Sequence, residues 1–305
     1  MYNSLEKYCN NFHLYIFTFD SESFNCLKSL NLQYATIISL EEFEDEELLR
    51  VKPTRSKGEY FWTCTSSTIL YVLNNYSVDH CTYVDSDLYF FSSPQLLLDE
   101  MGDHSILLTP HHYTKKYDQS EKTGIYCVQF LTFRKNEKGL KALTWWRKSC
   151  IEWCFNRFEN GKFGDQKYLD DWPERFEGVH VCENLGAGIA PWNMQQYKFA
   201  NENNRITGTE IATGKKFDII FFHFHSLMFV SQAYFSPRPY YMRNDTVISL
   251  LFNPYAKEIC RIREENAEIK NMEVYLSGFN KMKYFIELLL RRGFKEIHYK
   301  QLLHK

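Results

Sequence analysis

The stretch Tyr83-Val-Asp-Ser-Asp-Leu-Tyr-Phe90 places a pair of aspartates at the end of an apolar run and directly before another. Side chains at positions i and i+2 of a strand point to the same side, so Asp85 and Asp87 are expected to face one point at a sheet edge. Two carboxylates held this close are unfavourable unless a cation or a proton is shared between them. The spacing therefore predicts a site for Mg²⁺ or Mn²⁺, a kind of site that usually also binds a diphosphate. A solvated turn that holds two aspartates is the simpler alternative.

Strand and helix patterns alternate on both sides of this stretch. We predict strands at residues 13–19, 35–39, 81–85, 105–109, 126–133 and 217–225. We predict helices at residues 23–30, 41–51, 60–74, 94–101, 140–158, 163–169, 255–268 and 282–292. Such alternation is typical of an α/β domain in which helices cover a mostly parallel central sheet. Because the pattern becomes helical and charged beyond residue 230, we expect an α/β domain at 1–230 and a helical C-terminal extension at 231–305.

Composition and charge indicate which classes of protein this chain can belong to. The 305 residues carry a net charge of −2, and a protein that binds the nucleic-acid backbone needs a basic surface, so no nucleic-acid partner is expected. Nine cysteines, an odd number without a Cys-x-x-Cys pair, indicate reduced thiols and a cytoplasmic location. No secretory signal opens the sequence, and no apolar run approaches the roughly 20 residues of a membrane helix. Contact with the inner face of a membrane is left open.

Two further polar motifs are candidates for the same site. His223 and His225 share one face of a predicted strand, and imidazole is a good ligand for Mn²⁺ and several other divalent metals. Histidines in an aromatic-rich strand are also often structural. Asp165 and Gln166 stand at the predicted start of a helix, where they are suited to bind hydroxyl groups. Capping of that helix by Asp165 is the simpler alternative.

The remaining candidates have weaker signals. Arg55 and Lys57 precede the helix that leads to the aspartate strand, and they could neutralise a diphosphate or simply be exposed. His111 and His112 follow a predicted strand and could act on a substrate hydroxyl. Trp192 ends a loop of small residues and could offer a stacking face to a sugar, although an ordinary turn explains the loop as well.

Taken in order, these segments resemble the GT-A glycosyltransferases, particularly the family 8-type and related bacterial nucleotide-diphospho-sugar transferases. Residues 83–91 resemble the D-x-D strand of that family, and residues 124–134 resemble the strand that lines its donor-sugar pocket. Gly164-Asp-Gln166 is similar to the Asp-Gln pair that follows, and Phe222-His-Phe-His-Ser226 is similar to the late strand with the metal-binding histidine. The resemblance implies a GT-A, Rossmann-like fold.

It also implies roles for the residues at the diphosphate. Asp85 and Asp87 would hold Mn²⁺ or Mg²⁺ against the donor, with Ser86 between them in the donor-binding stretch. His223 would supply the remaining protein ligand, and His225 is the alternative candidate for that position. The metal would stabilise the charge that develops on the departing nucleoside diphosphate.

Roles around the sugar follow from the same resemblance. Asp165 and Gln166 would orient hydroxyl groups of the sugar or the acceptor, and Arg55 or Lys57 would lie beside the nucleotide. The family's usual Asn-x-Gly reads Cys127-Val-Gln129 here, so the larger Gln129 is expected to change which donor sugar fits.

The expected activity is that of a hexosyltransferase-like enzyme of polysaccharide biosynthesis, with a nucleotide-diphospho-sugar donor and a glycan, lipid-linked or protein acceptor. Family members begin with a strand that cradles the base, and residues 1–7 correspond to the tail of the helix after it, so we expect that first strand to be missing. The alternative is a catalytically impaired relative that binds a nucleotide or a glycan. A sugar nucleotidylyltransferase is disfavoured because no glycine-rich loop follows the first predicted strand.

Overall fold

The structure is a computed structural model, and it describes residues 1–231, 234–236, 245–266, 269 and 297–298. It is a mixed α/β structure, as the alternating pattern predicts. The predicted helix at 282–292 and most of the predicted extension lie outside the described residues. None of the helices within the described part is long and apolar enough to cross a membrane.

Helices occupy both halves of the described chain. The α-helices are α1 (Tyr2–Tyr8), α2 (Ser21–Ser29), α3 (Leu40–Phe43), α4 (Glu46–Val51), α5 (Lys57–Asn75), α6 (Gln95–Met101), α7 (Ser120–Thr123), α8 (Glu137–Glu152), α9 (Trp172–Arg175), α10 (Asp245–Val247) and α11 (Asn253–Glu265). A π-helical turn, Ile248–Phe252, joins the last two. Short 3₁₀ turns span Lys52–Thr54, Lys167–Leu169 and Met194–Gln196.

The strands between them are mostly short. They are β1 (Leu14–Phe17), β2 (Ala35–Ile38), β3 (His80–Val84), β4 (Leu88–Phe90), β5 (Ile106–Pro110), β6 (Tyr126–Arg134), β7 (Val179–Val181), β8 (Tyr197–Glu202), β9 (Arg205–Glu210), β10 (Lys216–Asp218), β11 (Phe221–His223), β12 (Met228–Ser231), β13 (Tyr234–Ser236) and β14 (Ile297–His298).

The largest sheet among the described residues has four strands in the order β3-β6-β5-β7, and the prediction of a mostly parallel sheet was wrong for it. Strand β6 runs antiparallel to both β3 and β5, and only β5 and β7 are parallel. A parallel neighbour needs a crossover, usually a helix. The connection from β5 to β6 contains only the single turn α7, so the chain folds back antiparallel. A separate parallel pair is formed by β1 and β2.

The predicted strand at 217–225 is divided in two. Strand β10 belongs to the antiparallel sheet β10-β9-β8, whereas β11 pairs with β4. The change of partner occurs at Ile220, whose N–H donates to the Gly186 carbonyl and whose own carbonyl accepts from Phe91 N–H. The backbone comes very close here, because a Cβ on Gly186 would lie 2.0 Å from the carbonyl oxygen of Asp218. The change of strand partner at Ile220 therefore depends on the loop that contains Gly186, which lies elsewhere in the sequence.

Three helix predictions were also wrong in extent. The predicted helix at 41–51 is split into α3 and α4 by Asp45, whose side chain caps α4. The helix predicted at 140–158 ends at Glu152, because Trp153 is extended. The helix predicted at 163–169 is only a 3₁₀ turn over Lys167–Leu169, and no side chain caps it, so Asp165 does not cap a helix.

The hydrophobic core lies in several clusters around the sheets. One cluster packs α5 and α8 against β5 and β6 and includes the fully buried Trp146 and Trp172. Another packs the segment 245–260 against the strand that contains Phe222, through Leu251, Phe252 and Ala256. The antiparallel pairing of β11 with β4, which directly follows the aspartate pair, places the two aspartates beside the late histidines.

Candidate functional site

The aspartate pair lies at a tight connection between β3 and β4. The Asp85 N–H donates to the Gln129 carbonyl at 3.0 Å, so pairing with β6 continues one residue beyond the strand. The Leu88 N–H then donates to the Asp85 carbonyl at 3.3 Å, which turns the chain into β4. Apolar side chains directly after the turn anchor it, since Leu88 and Phe90 are fully buried. Both carboxylates are thus presented at the sheet edge, as the sequence predicts.

Strand β11 brings the late histidines to this turn. His223 pairs with Leu88 in the antiparallel register, and the Phe224 N–H donates to the Asp87 carbonyl at 3.0 Å. The His223 ring is 5.7 Å from the His225 ring, measured between centroids. The two histidines therefore share one side of the chain, although His225 lies beyond the end of the strand.

The side chains converge on a small volume. His223 Nε2 is 3.1 Å from Asp87 Oδ1 and 3.7 Å from Asp85 Oδ2. One ligand atom from each of Asp87, His223 and His225 lies within 4.8 Å of the others. Asp85 is outside that group of three, and its second oxygen, Oδ1, accepts a hydrogen bond from the Tyr83 hydroxyl at 2.9 Å. The structure thus brings the four predicted ligands together, with Asp85 at the margin.

The charges of these side chains depend on one another. Burial opposes a charge on His223, but Asp87 and Asp85 outweigh it and hold the pKa of His223 well above its ordinary value. Burial also opposes ionisation of Asp87, yet the charge and hydrogen bond of His223 hold the pKa of Asp87 below its ordinary value. For Asp85, burial prevails and raises the pKa. The negative charge of Asp85 is therefore the less well compensated of the two.

This set of side chains fits a divalent cation. Carboxylate oxygens suit Mg²⁺ and Mn²⁺, and an imidazole nitrogen is an additional ligand that Mn²⁺ accepts. The site is reachable, since the side chains of Asp85 and Asp87 are 28% and 39% exposed. A cation would also compensate the negative charge of Asp85, which His223 compensates only in part. Asp85, Asp87, His223 and His225 would hold it.

Gln129 lies beneath the histidine and is fully buried. Its Oε1 is 2.7 Å from His223 Nδ1. The expectation that Gln129 influences the donor sugar stays a prediction, but its side chain is covered and contacts a proposed metal ligand.

Asp165 is a buried carboxyl whose electrostatic neighbours include Thr65 and Asp85. It is 6% exposed, and burial raises its pKa to about 7, against the opposing effect of a hydrogen bond from Thr65. The Tyr83 hydroxyl, which donates to Asp85, interacts with the same Thr65. The indole N–H of Trp146 donates to the Asp165 carbonyl at 2.8 Å and holds this turn. Gln166, the next residue, is only partly buried.

Arg55 and Lys57 have other partners. The guanidinium of Arg55 stacks on the Phe155 ring at 3.9 Å and donates to the Ile151 carbonyl at 3.2 Å. Lys57 Nζ is 3.9 Å from an Asp20 carboxylate. Both side chains therefore contact neighbouring groups of the protein. Their expected position beside a nucleotide stays a prediction.

Trp192 forms a wall of the site instead of an open stacking face. It is only 7% exposed, and its ring contacts the rings of His223 and His225 at centroid distances of 5.3 and 5.6 Å. Its indole N–H donates to the His111 carbonyl at 3.0 Å. Burial lowers the pKa of His111 to about 3, so this ring is neutral. The suggestion that Trp192 offers a stacking face to a sugar was wrong because His223, His225 and His111 cover it.

Comparison with known proteins gives relatives over most of the chain. No protein-family model matches it. It is 30% identical over 270 residues to the uncharacterized protein YfnD of Bacillus subtilis strain 168, an alignment that covers 87% of this chain and 85% of YfnD. It is 31% identical over 239 residues to the uncharacterized protein YfnF of the same organism, covering 76% of this chain and 77% of YfnF. The chain belongs to the family of YfnD and YfnF.

Among solved structures, the comparison finds a partial match to the glycosyltransferase GlyE of Streptococcus pneumoniae TIGR4. The two share 16% sequence identity with a TM-score of 0.36, over 61% of this YfnD-family chain and 42% of the GlyE chain. A superposition this loose identifies neither the fold nor the activity.

Sequence reasoning missed two residues of this YfnD-family site, Tyr83 and Thr65. Tyr83 has a detectable signal, because it lies two positions before Asp85 and so points to the same side of β3. Thr65 has none, because it lies on α5, whose packing against β3 only the tertiary structure shows. Gln129 was predicted as a residue of the site, but its contact with His223 was not.

Proposed function

We propose that this chain is a metal-dependent glycosyltransferase that moves a sugar from a nucleotide-diphosphate donor to a glycan, lipid-linked or protein acceptor. The observation that carries the proposal is the convergence of Asp85, Asp87 and His223 at one sheet edge, with His223 Nε2 at 3.7 and 3.1 Å from the two carboxylates. The imidazole of this cluster comes from His223, which lies 136 positions after Asp87 in the sequence. The D-x-D resemblance supports the same proposal.

The chain's own residues would divide the work at this site. Asp85, Asp87, His223 and His225 would hold Mn²⁺ or Mg²⁺, which when bound would supply Lewis-acid stabilisation of the departing diphosphate. Gln166, which is partly exposed, would meet hydroxyl groups of the sugar or the acceptor. Asp165, one position earlier, would act from beneath the surface through Thr65 and Tyr83.

A cytoplasmic location is part of the proposal. The nine cysteines, all of them within the described residues, form no disulfide. Nucleotide-sugar donors and reduced thiols are compatible with the same compartment. Contact with the inner membrane face would follow from a lipid-linked acceptor.

A second candidate is a relative that binds a nucleotide or a glycan without turnover. The burial of Asp165 favours it, because the carboxylate expected to meet the sugar is only 6% exposed. Such a protein would bind the same class of ligand, a nucleotide or a glycan, but would not catalyse sugar transfer.

One experiment tests both candidates. The purified protein is incubated with Mn²⁺ and a panel of UDP-, GDP- and dTDP-sugars, and release of nucleoside diphosphate and the melting temperature are measured. We expect release with one donor, and its loss in Asp87→Ala but not in the control Asp103→Ala, an exposed aspartate outside the cluster. A donor that raises the melting temperature without release supports the second candidate. If no donor is cleaved and none raises the melting temperature, both proposals are wrong.

A further inference from the structure

We infer that Gln129 is a positioning residue that fixes the orientation of the His223 ring and holds a proton on its Nδ1, so that Nε2 is the nitrogen available to a metal. The inference rests on the proposed metal site, since it concerns how one ligand of that site is held. Neither the D-x-D resemblance nor the family relation assigns such a role, because the resembling position is a glycine.

The first step is the contact itself. Gln129 Oε1 lies 2.7 Å from His223 Nδ1, and both side chains are buried. An amide oxygen only accepts, so Nδ1 carries the hydrogen of this bond. The other ring nitrogen, Nε2, is then the atom turned toward Asp87 and Asp85, at 3.1 and 3.7 Å. Metal-binding histidines depend on such a partner to set their tautomer and ring orientation.

The second step is how the amide is held in place. Gln129 Nε2 is buried against Gly188, where a Cβ would lie only 2.5 Å from that nitrogen. Gly188 has φ of +79°, a conformation that other residues rarely adopt. The backbone of the loop therefore lies directly against the amide and restricts its movement.

The third step links the two halves of the site. The main-chain carbonyl of Gln129 accepts from Asp85 N–H at 3.0 Å, while its side-chain oxygen contacts His223. One residue of β6 thus positions the aspartate turn through its backbone and the histidine through its side chain. Trp192 packs edge-on against the His223 ring at 5.3 Å and 84°. The ring is confined between these two neighbours.

The test compares Mn²⁺ affinity in three variants. Gln129→Met has nearly the same shape but no acceptor, and we expect its Kd for Mn²⁺ to rise about 10- to 100-fold. Gln129→Glu keeps an acceptor oxygen at the same place, and we expect it to stay within a few-fold of the parent protein. Thr132→Val is the matched control, because it removes a partly buried hydrogen bond, to Thr82 at 2.8 Å, from a buried side chain of the same strand. It should leave the Kd unchanged.

A second readout does not need the metal. In ¹⁵N-labelled protein without Mn²⁺, we expect the Nδ1–H of His223, assigned with His223→Gln, to exchange slowly in the parent protein and in Gln129→Glu. It should exchange rapidly in Gln129→Met. If Gln129→Met does not fold, Gln129→Asn, which draws the amide back by one methylene, should show the same losses.

The outcomes separate the two proposals. If the parent protein binds Mn²⁺ and Gln129→Met binds it equally well, the positioning role is overturned. If the parent protein does not bind Mn²⁺, the proposed metal site is wrong, and exchange of the His223 Nδ1–H alone then decides: equal exchange in the parent protein and in Gln129→Met overturns the positioning role, and faster exchange in the variant supports it.

Discussion

At the scale of single residues, the buried carboxyl of Asp165 makes the stability of the folded protein depend on pH. Its carboxyl is 6% exposed, and burial raises its pKa to about 7 in the folded protein. In the unfolded chain an aspartate titrates near its ordinary value of about 3.9. Between these two values the folded state binds the proton and the unfolded state does not, so the free energy of unfolding falls as pH rises through that window.

We predict that Asp165→Asn removes this dependence. The difference in melting temperature between Asp165→Asn and the parent protein should become more positive from about pH 5 to about pH 7 and then level off. For one titrating group, the free energy of unfolding changes by at most about 1.4 kcal/mol per pH unit. Differential scanning calorimetry across this range measures it.

The exposed residue Asp103 provides the control for this prediction. Asp103→Asn should shift the melting temperature by an amount that does not change over the same pH range. A flat difference for Asp165→Asn as well would show that the Asp165 carboxyl is ionised in the folded protein at acidic pH.

At the scale of elements, the start of α5 is held by one carboxylate that also holds a distant loop. Ser56 and Glu59 form a capping box, in which Glu59 Oε2 accepts from Ser56 N–H at 2.8 Å. Glu59 Oε1 accepts from Asn156 N–H at 2.8 Å, and this interaction is the main reason why the pKa of Glu59 is lowered. Asn156 belongs to the segment that leads from α8 to Asp165. The capping box therefore also holds the segment that connects α8 to Asp165.

We predict that Glu59→Ala destabilises the protein more than Ser56→Ala. Loss of the serine cap should cost about 1 kcal/mol, whereas loss of the carboxylate removes bonds to two N–H groups and should cost about 2 kcal/mol. Urea denaturation of the two variants and the parent protein gives the comparison. Equal effects would show that the bond to Asn156 contributes nothing.

At the scale of the whole molecule, the segment 245–265 completes the core beside the cluster of Asp85, Asp87, His223 and His225. Tyr255 stacks on Phe224 with ring centroids 3.9 Å apart, and Phe224 directly follows His223. Ala256 is fully buried in the same cluster. At the other end of the chain, Asn3 donates to Glu258 of α11. The division into domains at residue 230 stays a prediction, but this helix supports the strand that contains His223.

We predict that Ala256→Asp destabilises the whole chain and weakens Mn²⁺ binding. A buried carboxylate without a partner should cost about 3 kcal/mol or more. Because the affected cluster underlies His223, the loss should appear both in the melting temperature and in the Mn²⁺ titration. Lys257→Asp places the same side chain on the partly exposed neighbouring position and should cost much less. If the two variants behave alike, α11 does not support the site.

Parts of the fold and site were predictable because their signals are local. The alternation through β3, the amphipathic pattern of α5 and the i, i+2 spacing of Asp85 and Asp87 each depend on neighbours in sequence. The direction of β6 was not predictable, because it depends on how the loop at 111–125 returns to the sheet. The break at Ile220 was not predictable either, since it requires the Gly186 backbone to approach from another part of the chain.

The sequence by itself determined the α/β class, the paired carboxylates at the end of a strand and the histidines two residues apart, because side-chain periodicity and residue chemistry are encoded locally. Only the tertiary structure decided that the sheet is mixed, that β11 pairs with β4 so that His223 meets Asp87, and that Gln129 lies beneath that histidine. Contacts between residues more than 90 positions apart depend on packing and loop geometry, which no local pattern records.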